Sequence, residues 1–240
     1  MKFNELLRRT LFYISVPECV CCREKLDLFD TALCKSCLSK YSYHKTRTCS
    51  ICFKPYDECV CANALLRKGG IKRLVKCYRY ITNEDTLPSN SVIYSLKRDN
   101  RRDVLSFLAR ELSVSIKNAI PDYGDLFITN VARRRRSIVK YGFDHTALLA
   151  KAIAKELDIP YIKTLSSHSK RKQKKLSYKE RSENARFKVI SPKKITGKRF
   201  ILIDDVVTTG ASMYAAASAL KSEGAIVRTC AAIAIAYRDE

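Results

Sequence analysis

A chain of 240 residues with 46% hydrophobic content is long enough for one sizeable core and a small appended module. Its 46 Lys and Arg against 24 Asp and Glu give a formal net charge of +22, which predicts attraction to polyanions such as nucleic acid, nucleotides or an anionic membrane face. The apolar run Leu11–Val16 is too short for a signal peptide or a membrane span. We therefore expect a cytoplasmic protein without membrane insertion, in which thiols stay reduced.

The first predicted unit, residues 1–62, is a small module that contains nine of the eleven cysteines. Eight of them form two groups of paired cysteines, namely Cys19, Cys22, Cys34 and Cys37, then Cys49, Cys52, Cys59 and Cys61. Two closely spaced cysteines present two thiolates to one ion, and two such pairs complete a tetrahedral site, so the spacing predicts about two structural zinc ions. Which pairs combine is left open, because an interleaved arrangement uses the same residues. Cys21 is expected not to bind metal, and Cys77 and Cys230 are expected to be small core residues.

The second predicted unit, residues 63–240, begins with a connector over residues 63–91 that runs into a strand over Lys72–Ile81. Pro88–Ser91 indicates a turn, and Val92–Ile116 has the apolar spacing of a helix. From residue 126 onward, predicted strands and helices alternate in the order Leu126–Ile128, Asp144–Leu157, Tyr161–Thr164, Phe200–Ile203, Ser212–Glu223 and Ile226–Ile235. This alternation predicts an α/β domain, a parallel sheet with helices on both faces. Residues 166–192 form a hydrophilic insertion that we expect to be a basic flap.

The segment Phe200–Ser212 joins an apolar strand, two carboxylates and a hydroxyl-rich turn. Ligands of open α/β sheets bind at the carboxyl ends of the strands, where two aspartates follow the apolar run. The glycine of the turn lets the backbone approach a ligand, and the N–H groups of a helix start attract a phosphate. A ribose 5-phosphate matches both features, whereas an ordinary helix cap beside solvated aspartates is the alternative. The candidate ligand-binding residues are Asp204, Asp205, Val207, Thr208, Thr209, Gly210, Ala211 and Ser212.

This segment resembles the phosphoribosyl-diphosphate signature of type I phosphoribosyltransferases, and the chain as a whole resembles the ComF family of competence-associated proteins. The further matching positions are Leu96, Lys97, Gly142, Phe143, Leu148–Ala150, Gln173, Leu176, Ser177, Glu180, Arg181, Asn184 and Phe187. The resemblance implies a type I phosphoribosyltransferase-like domain behind a double zinc ribbon, and magnesium bound together with phosphoribosyl diphosphate. It also implies a loop on the diphosphate side, formed by Asn130, Val131, Ala132 and Arg133.

The chain departs from the family pattern at two places. Asn130–Ala132 stands where the family has Pro-Val-Pro, and Tyr141–His145 stands where it has Arg-Gly-Phe-Asn-Gln. The lost arginine is a cation that would meet a leaving diphosphate. No catalytic residue is assigned, and none of His44, His145 and His168 is given a catalytic role.

Basic stretches with aromatic residues nearby indicate binding of single-stranded nucleic acid, which combines phosphate attraction with base stacking. A solvated basic face is the alternative for each stretch. The candidate residues are Arg133, Arg134, Arg135, Arg136, Lys170, Arg171, Lys172, Lys174, Lys175 and Tyr178, with Tyr141, Phe143 and Phe187 as further aromatics.

Two functions follow from the resemblance. The first is a ComF-type protein that binds phosphoribosyl diphosphate or a related phosphosugar together with single-stranded DNA, and that supports DNA uptake in natural transformation alongside proteins of the competence machinery. The second is an active phosphoribosyltransferase that acts on an unknown nitrogen nucleophile. In a third reading, the zinc module is a docking site for another protein.

Overall fold

The computed structural model describes residues 17–27, 30–81, 86–168 and 186–236. The helices in chain order are α1 (Lys35–Lys45), α2 (Ala64–Lys68), α3 (Pro88–Arg98), α4 (Arg102–Ala119), α5 (Arg135–Tyr141), α6 (His145–Leu157) and α7 (Ala211–Ser222), with a 3-10 turn at Pro192–Lys194. The strands are β1 (Leu74–Arg79), β2 (Phe127–Asn130), β3 (Leu165–Ser167), β4 (Phe187–Val189), β5 (Arg199–Val207) and β6 (Ile226–Ile235).

Four of these strands form one parallel sheet in the order β1-β6-β5-β2. Along β5, Ile201 and Ile203 join a core on one face of the sheet, while Phe200 and Leu202 join a second core on the other face. All four side chains are buried, because a parallel strand is covered on both faces and needs no polar alternation. The continuous apolar run in the sequence is explained by this position in the sheet.

Helices cover both faces of the sheet. The first core contains Leu112 of α4 and Ile153 of α6, and the second core contains Leu220 of α7. The short antiparallel pair β3-β4 also packs on the second core, through Leu165 and Val189. The predicted parallel sheet with helices on both faces is therefore confirmed.

The two cysteine groups pack on opposite faces of the sheet. Cys34 and Cys37 belong to the first core, whereas Cys49 and Cys59 belong to the second. Tyr41 of α1 links the first group to the domain, with its ring 5.4 Å from that of Tyr78 on β1. The division at residue 62 stays a prediction, but the cysteine-rich segment shares its cores with the α/β domain.

Three local expectations differ from the structure. Pro88 begins helix α3 instead of forming a turn, since a first helical position needs no N–H donor. The predicted helix over Val92–Ile116 is divided between α3 and α4 by residues 99–101, where Asn100 has a φ of +48°. Of the predicted strand Tyr161–Thr164, a single parallel bridge between Tyr161 and Ile128 is formed.

Helix α5 was not anticipated from the sequence. It begins within the arginine run, at Arg135, has no buried residue, and ends at Gly142 with a φ of +78°. Within the described residues, no helix combines the length and the apolar character that a membrane span requires.

Candidate functional site

The two candidate ribose-binding acids lie near the carboxyl end of β5. Asp205 is 5% exposed, and its backbone N–H donates to Oδ1 of Asp204 over 2.8 Å. Oδ1 of Asp205 accepts in turn from the N–H of Val206 at 2.6 Å. Oδ1 of each carboxylate thus accepts a hydrogen bond from a backbone N–H of β5. These bonds fix the orientation of both carboxylates, and with it the position of each Oδ2.

Three side chains from three different elements, two of them cationic, meet at Oδ2 of Asp205. His145 Nε2 of α6 lies 2.8 Å from it, Lys97 Nζ of α3 lies 3.2 Å from it, and Arg133 Nη1 of the loop after β2 lies 3.8 Å from it. Burial by itself raises the pKa of Asp205, but Lys97, followed by His145 and Arg133, outweighs it and holds the pKa well below its usual range. Asp205 is therefore a buried, ionised and fully partnered carboxylate.

Asp204 has the opposite electrostatic character. Burial, followed by the negative charge of Asp205, raises the pKa of Asp204 well above its usual range. Two neighbouring carboxylates with pKa values pushed apart are a frequent feature of functional sites, although structural ion pairs produce the same effect.

The candidate phosphate loop, residues 208–212, connects β5 to the start of α7. Gly210 has a φ of +80° and is the N-cap of α7, a backbone conformation that favours glycine. The hydroxyl of Thr209 accepts from the N–H of Ala211 over 3.2 Å. Because the first turn of a helix leaves N–H groups without intrahelical partners, this loop offers donors to an anion.

Gly210 also has a packing role that the sequence did not suggest. A Cβ on Gly210 would lie 2.8 Å from Nδ2 of Asn63 and 3.1 Å from Cγ of Leu66. The missing side chain therefore makes room for Asn63 and Leu66.

The predicted diphosphate-side loop lies at the same sheet edge as the acids. Strand β2 pairs with β5, and the N–H of Val131 donates to the carbonyl oxygen of Ile203 over 2.9 Å. The side chain of Asn130 accepts from the hydroxyl of Tyr161 at 2.8 Å. Arg133 extends from this loop to Asp205, so the loop and the acidic strand end are adjacent.

The candidate nucleic-acid residues are only partly described. Arg133 and Arg134 are partly exposed, and Arg135 and Arg136 are exposed at the start of α5. The remaining candidates lie outside the described residues, namely Lys170, Arg171, Lys172, Lys174, Lys175 and Tyr178.

The eight predicted metal ligands form two separate clusters in sequence order, not interleaved. The clusters are Cys19, Cys22, Cys34 and Cys37, and Cys49, Cys52, Cys59 and Cys61. In each cluster the four Sγ atoms lie within 4.8 Å of one another, and four thiolates at such distances can hold a metal ion.

The first pair of each cluster has the same backbone turn. The N–H of Cys19 donates to Glu24 and that of Cys49 donates to Lys54, at 2.7 and 2.9 Å. One residue after the second cysteine, Arg23 and Phe53 have φ values of +66° and +56°. Neither residue is glycine, so both turns have a strained backbone at this position. Because the same strained turn occurs in both clusters, we infer that the arrangement of two cysteines around one metal ion requires it.

Hydrogen bonds to sulfur favour the thiolate form of Cys52, whereas burial raises the pKa of Cys59 and raises that of Cys61 to about 12. The N–H of Lys54, followed by further effects that include a hydrogen bond from Cys59, lowers the pKa of Cys52 to about 7. Lys76 of β1 is completely buried, and its Nζ donates to Sγ of Cys59 over 3.0 Å. The same Nζ donates to the carbonyl oxygens of Cys59 and Cys61, at 3.0 and 3.1 Å. A buried lysine that donates to Sγ of Cys59 is explained if the cluster carries negative charge.

Sequence reasoning missed four residues of this region: Asn63, Lys76, Lys97 and His145. Two of them had a signal in the sequence. Lys97 stands in the Leu-Lys step shared with the ComF family, and His145 replaces the glutamine of the family pattern. Asn63 has no signal for its bond to Thr209, which lies 146 positions away, and no spacing in the sequence indicates the contact of Lys76 with Cys59.

Comparison with known proteins agrees with this geometry. Residues 146–238 match the family model of the phosphoribosyl transferase domain. The chain is 25% identical over 218 residues to competence protein F of Haemophilus influenzae, and the match covers 86% of this chain and 91% of that protein. The resemblance to the ComF family is confirmed.

Two further proteins, both named adenine phosphoribosyltransferase, match part of the chain. Adenine phosphoribosyltransferase of Bordetella avium is 31% identical over 116 residues, which cover 45% of this chain and 60% of that enzyme. The crystal structure of adenine phosphoribosyltransferase from Saccharomyces cerevisiae is 17% identical, with a TM-score of 0.37, and the match covers 59% of this chain and 72% of that one. The family-model match and the parallel sheet indicate a phosphoribosyltransferase-like α/β domain, beside cysteine clusters suited to a zinc module.

Proposed function

We propose that the chain is a ComF-type protein that binds phosphoribosyl diphosphate, or a related phosphosugar, and single-stranded DNA in the cytoplasm. The observation that carries the first part is the convergence of Asp204, Asp205, Arg133 and the loop over residues 208–212 at one edge of the sheet. The role in DNA uptake, and partners in the competence machinery, are inferred from the name of the Haemophilus influenzae relative, competence protein F.

Each part of the ligand has a matching group in this proposal. The acids accept from the ribose hydroxyls, and the helix start after Gly210 binds the 5-phosphate. Lys97 and Arg133, which hold Asp205 at 3.2 and 3.8 Å, bind the diphosphate together with magnesium. The diphosphate then competes with Asp205 for these two cations, which frees the carboxylate for the ribose.

Zinc is the metal that we propose for the two cysteine clusters. Sites of four thiolates select zinc in proteins, and closed sites of this kind are structural rather than catalytic. Metal binding would add to the stability of the cysteine-rich segment, whose ligands Cys34, Cys37, Cys49 and Cys59 are part of the two cores.

The test of the phosphosugar site is a calorimetric titration with phosphoribosyl diphosphate and Mg²⁺. The double variant Asp204→Asn/Asp205→Asn should bind at least about tenfold more weakly, since the ionised carboxylate of Asp205 loses a charged hydrogen bond worth about 1.5–3 kcal/mol. The control is Asp125→Asn, because Asp125 is a solvent-exposed acid paired with Arg199. Unchanged affinity in the double variant would move the site elsewhere.

An active phosphoribosyltransferase is the second candidate, and the unbroken Asp204–Ser212 signature favours it. In that case the bound ligand loses diphosphate when a nitrogen nucleophile attacks the anomeric carbon. Diphosphate release from the wild type, absent from the double variant, would establish turnover. Tight binding without release across a panel of nitrogen nucleophiles supports a binding protein.

Helix α5 carries the proposal for single-stranded DNA. It has no buried residue, and Arg135 and Arg136 are exposed on it. Tyr141 at its end is 43% exposed, whereas Phe143 and Phe187 are only partly exposed and pack against His145 and the second core. Tyr141 is thus the described aromatic best suited to stack on a base.

The DNA proposal is tested by anisotropy titrations with an oligonucleotide at several salt concentrations. Arg135→Gln/Arg136→Gln should reduce the logarithmic salt slope by about 1.4, since each phosphate contact on a single strand contributes about 0.7. Tyr141→Ala should cost about 1–3 kcal/mol at every salt concentration. The matched control is Lys193→Gln/Lys194→Gln, in the exposed 3-10 turn. No binding by the wild type at low salt refutes this part of the proposal.

A further inference from the structure

One side chain connects the second cysteine cluster to the candidate phosphate loop. Asn63 follows Cys61 by two residues and is the N-cap of α2, where its Oδ1 accepts from the N–H of Leu66 over 3.0 Å. Its Nδ2 donates to the carbonyl oxygen of Thr209 over 3.0 Å, across 146 positions in the sequence. Asn63 therefore caps a helix with one atom and holds the loop with the other.

The bond to Thr209 fixes the orientation of one peptide group in the loop. The N–H of Gly210 points opposite to the carbonyl of Thr209, because the peptide is planar and trans. With that carbonyl directed at Asn63, the N–H of Gly210 is directed away from the connector. A donor that is aimed before the ligand arrives binds an anion without the cost of ordering the loop.

The contact is closely packed. Leu66 is completely buried and lies in the same core as Met213 of α7. A Cβ on Gly210 would meet both Asn63 and Leu66, at 2.8 and 3.1 Å, so the loop and the connector fit together only with glycine at this position.

Residues 59–61 of the second cluster, just before Asn63, are bonded to β1 of the sheet and to the residue that precedes it. Lys76 of β1 donates to Cys59 and Cys61, and the N–H of Leu74 donates to the carbonyl oxygen of Val60 over 3.0 Å. Cys61 also forms a bridge with Arg73. The first cluster lies in the other core and has no corresponding link to the loop in the described residues.

We propose that Asn63 is a positioning residue of the phosphate loop, and that metal binding at the second cluster, but not at the first, holds the loop in its ligand-binding conformation. The cysteine-rich segment is then a part of the phosphosugar site as well as a structural module. The identity of the ligand rests on the proposed function above, whereas the link between the second cluster and the loop is independent of it.

The test measures the loop directly, by amide hydrogen exchange over residues 210–214, with the amides of α4 as a reference for global unfolding. Asn63→Ser keeps an uncharged helix cap but is too short to reach Thr209. It should speed exchange in the loop roughly threefold to tenfold, which corresponds to the loss of one hydrogen bond, and leave α4 unchanged. The control is Asn118→Ser, because Asn118 is exposed near the end of α4.

The role of the metal is tested by comparing Cys52→Ser with Cys22→Ser, which remove one ligand from the second and the first cluster. Only Cys52→Ser should speed exchange in the loop beyond the change in α4, and only it should weaken binding of phosphoribosyl diphosphate. Unchanged exchange in Asn63→Ser, or equal effects of the two cysteine variants on the loop, would overturn the inference. A wild type that binds no phosphoribosyl diphosphate refutes the proposed function. The exchange data would still show whether Asn63 and the second cluster hold the loop.

Discussion

His145 Nε2 lies 2.8 Å from Oδ2 of Asp205, although the two residues are 60 positions apart in the chain. His145 is 1% exposed and begins α6 immediately after the N-cap Asp144, whose carboxylate accepts from Ala147. One candidate site acid is therefore held by protein groups before any ligand is bound. Its neighbour Asp204 has no cation within salt-bridge distance among the described residues, and this difference between the two acids leads to separate predictions.

The first prediction concerns the contribution of His145 to stability. His145→Ala should lower the free energy of unfolding by about 1–3 kcal/mol, because it removes one partner of a buried carboxylate. His145→Gln should cost less, since the amide keeps an N–H donor and is the residue of the ComF pattern. Urea unfolding at neutral pH measures both, with His168→Ala as an exposed control that we expect to change stability by less than about 0.5 kcal/mol. Equal losses in the Ala and Gln variants would show that the hydrogen bond to Asp205 is unimportant.

The second prediction is that a substitution of a site acid stabilises the protein. The pKa of Asp204 is raised in the folded state, so the folded state binds more protons than the unfolded state between the ordinary carboxyl pKa and the raised one. The contribution of Asp204 to the free energy of unfolding is fully present at low pH. It is lost as pH rises through the pKa of Asp204 in the folded state, by up to about 1.4 kcal/mol per pH unit.

Asp204→Asn removes this loss, since the amide oxygen still accepts from the N–H of Asp205 and no charge is buried. The variant should unfold at higher urea concentration than the wild type at pH 7, and the difference should shrink towards pH 4. It should at the same time bind phosphoribosyl diphosphate more weakly. A variant that is less stable than the wild type at every pH would contradict the raised pKa.

The third prediction concerns metal content. The purified protein should contain about two zinc ions per chain, and Cys22→Ser and Cys52→Ser should each lower the content to about one. Elemental analysis decides this, and one ion or none in the wild type would contradict the double site. Since Cys34 and Cys37 share a core with α4 and α6, loss of the first site should also lower the stability of the α/β domain.

Features that depend on neighbouring residues could be predicted from the sequence. The bounds of β6 and the N-cap of α6 at Asp144 were correct, because burial pattern and capping chemistry are local. The two cysteine clusters were predicted from their spacing for the same reason. The acids of the candidate site were found because strand, carboxylates and turn are contiguous in the chain.

Features that depend on tertiary contacts could not be predicted. Lys97 and His145 meet at Asp205 from separate helices, and no spacing in the sequence encodes that meeting. Lys76 looks like a polar residue of a half-exposed strand, since Lys72, Arg73 and Arg79 surround it. Its burial is explained only by the cysteine cluster against which it packs.

The last prediction concerns Lys76. Its ammonium group is completely buried and donates to Sγ of Cys59 and to the carbonyl oxygens of Cys59 and Cys61. A divalent ion with four thiolates has a net charge of about −2, which a buried cation partly compensates. Lys76→Met keeps the length of the side chain but removes its charge and its donors.

Lys76→Met should therefore lower the free energy of unfolding by about 3–5 kcal/mol, the range found when one partner of a buried charged pair is removed. It should also release metal from the second cluster at lower chelator concentration, while the first cluster, in the other core, is unaffected. The control is Lys72→Met, because Lys72 is exposed two residues before β1 and should change neither quantity. Urea unfolding and a chelator titration of metal release measure the two effects. Wild-type metal retention in Lys76→Met would show that the thiolates need no buried cation, and the contact to Cys59 would then be incidental to metal binding.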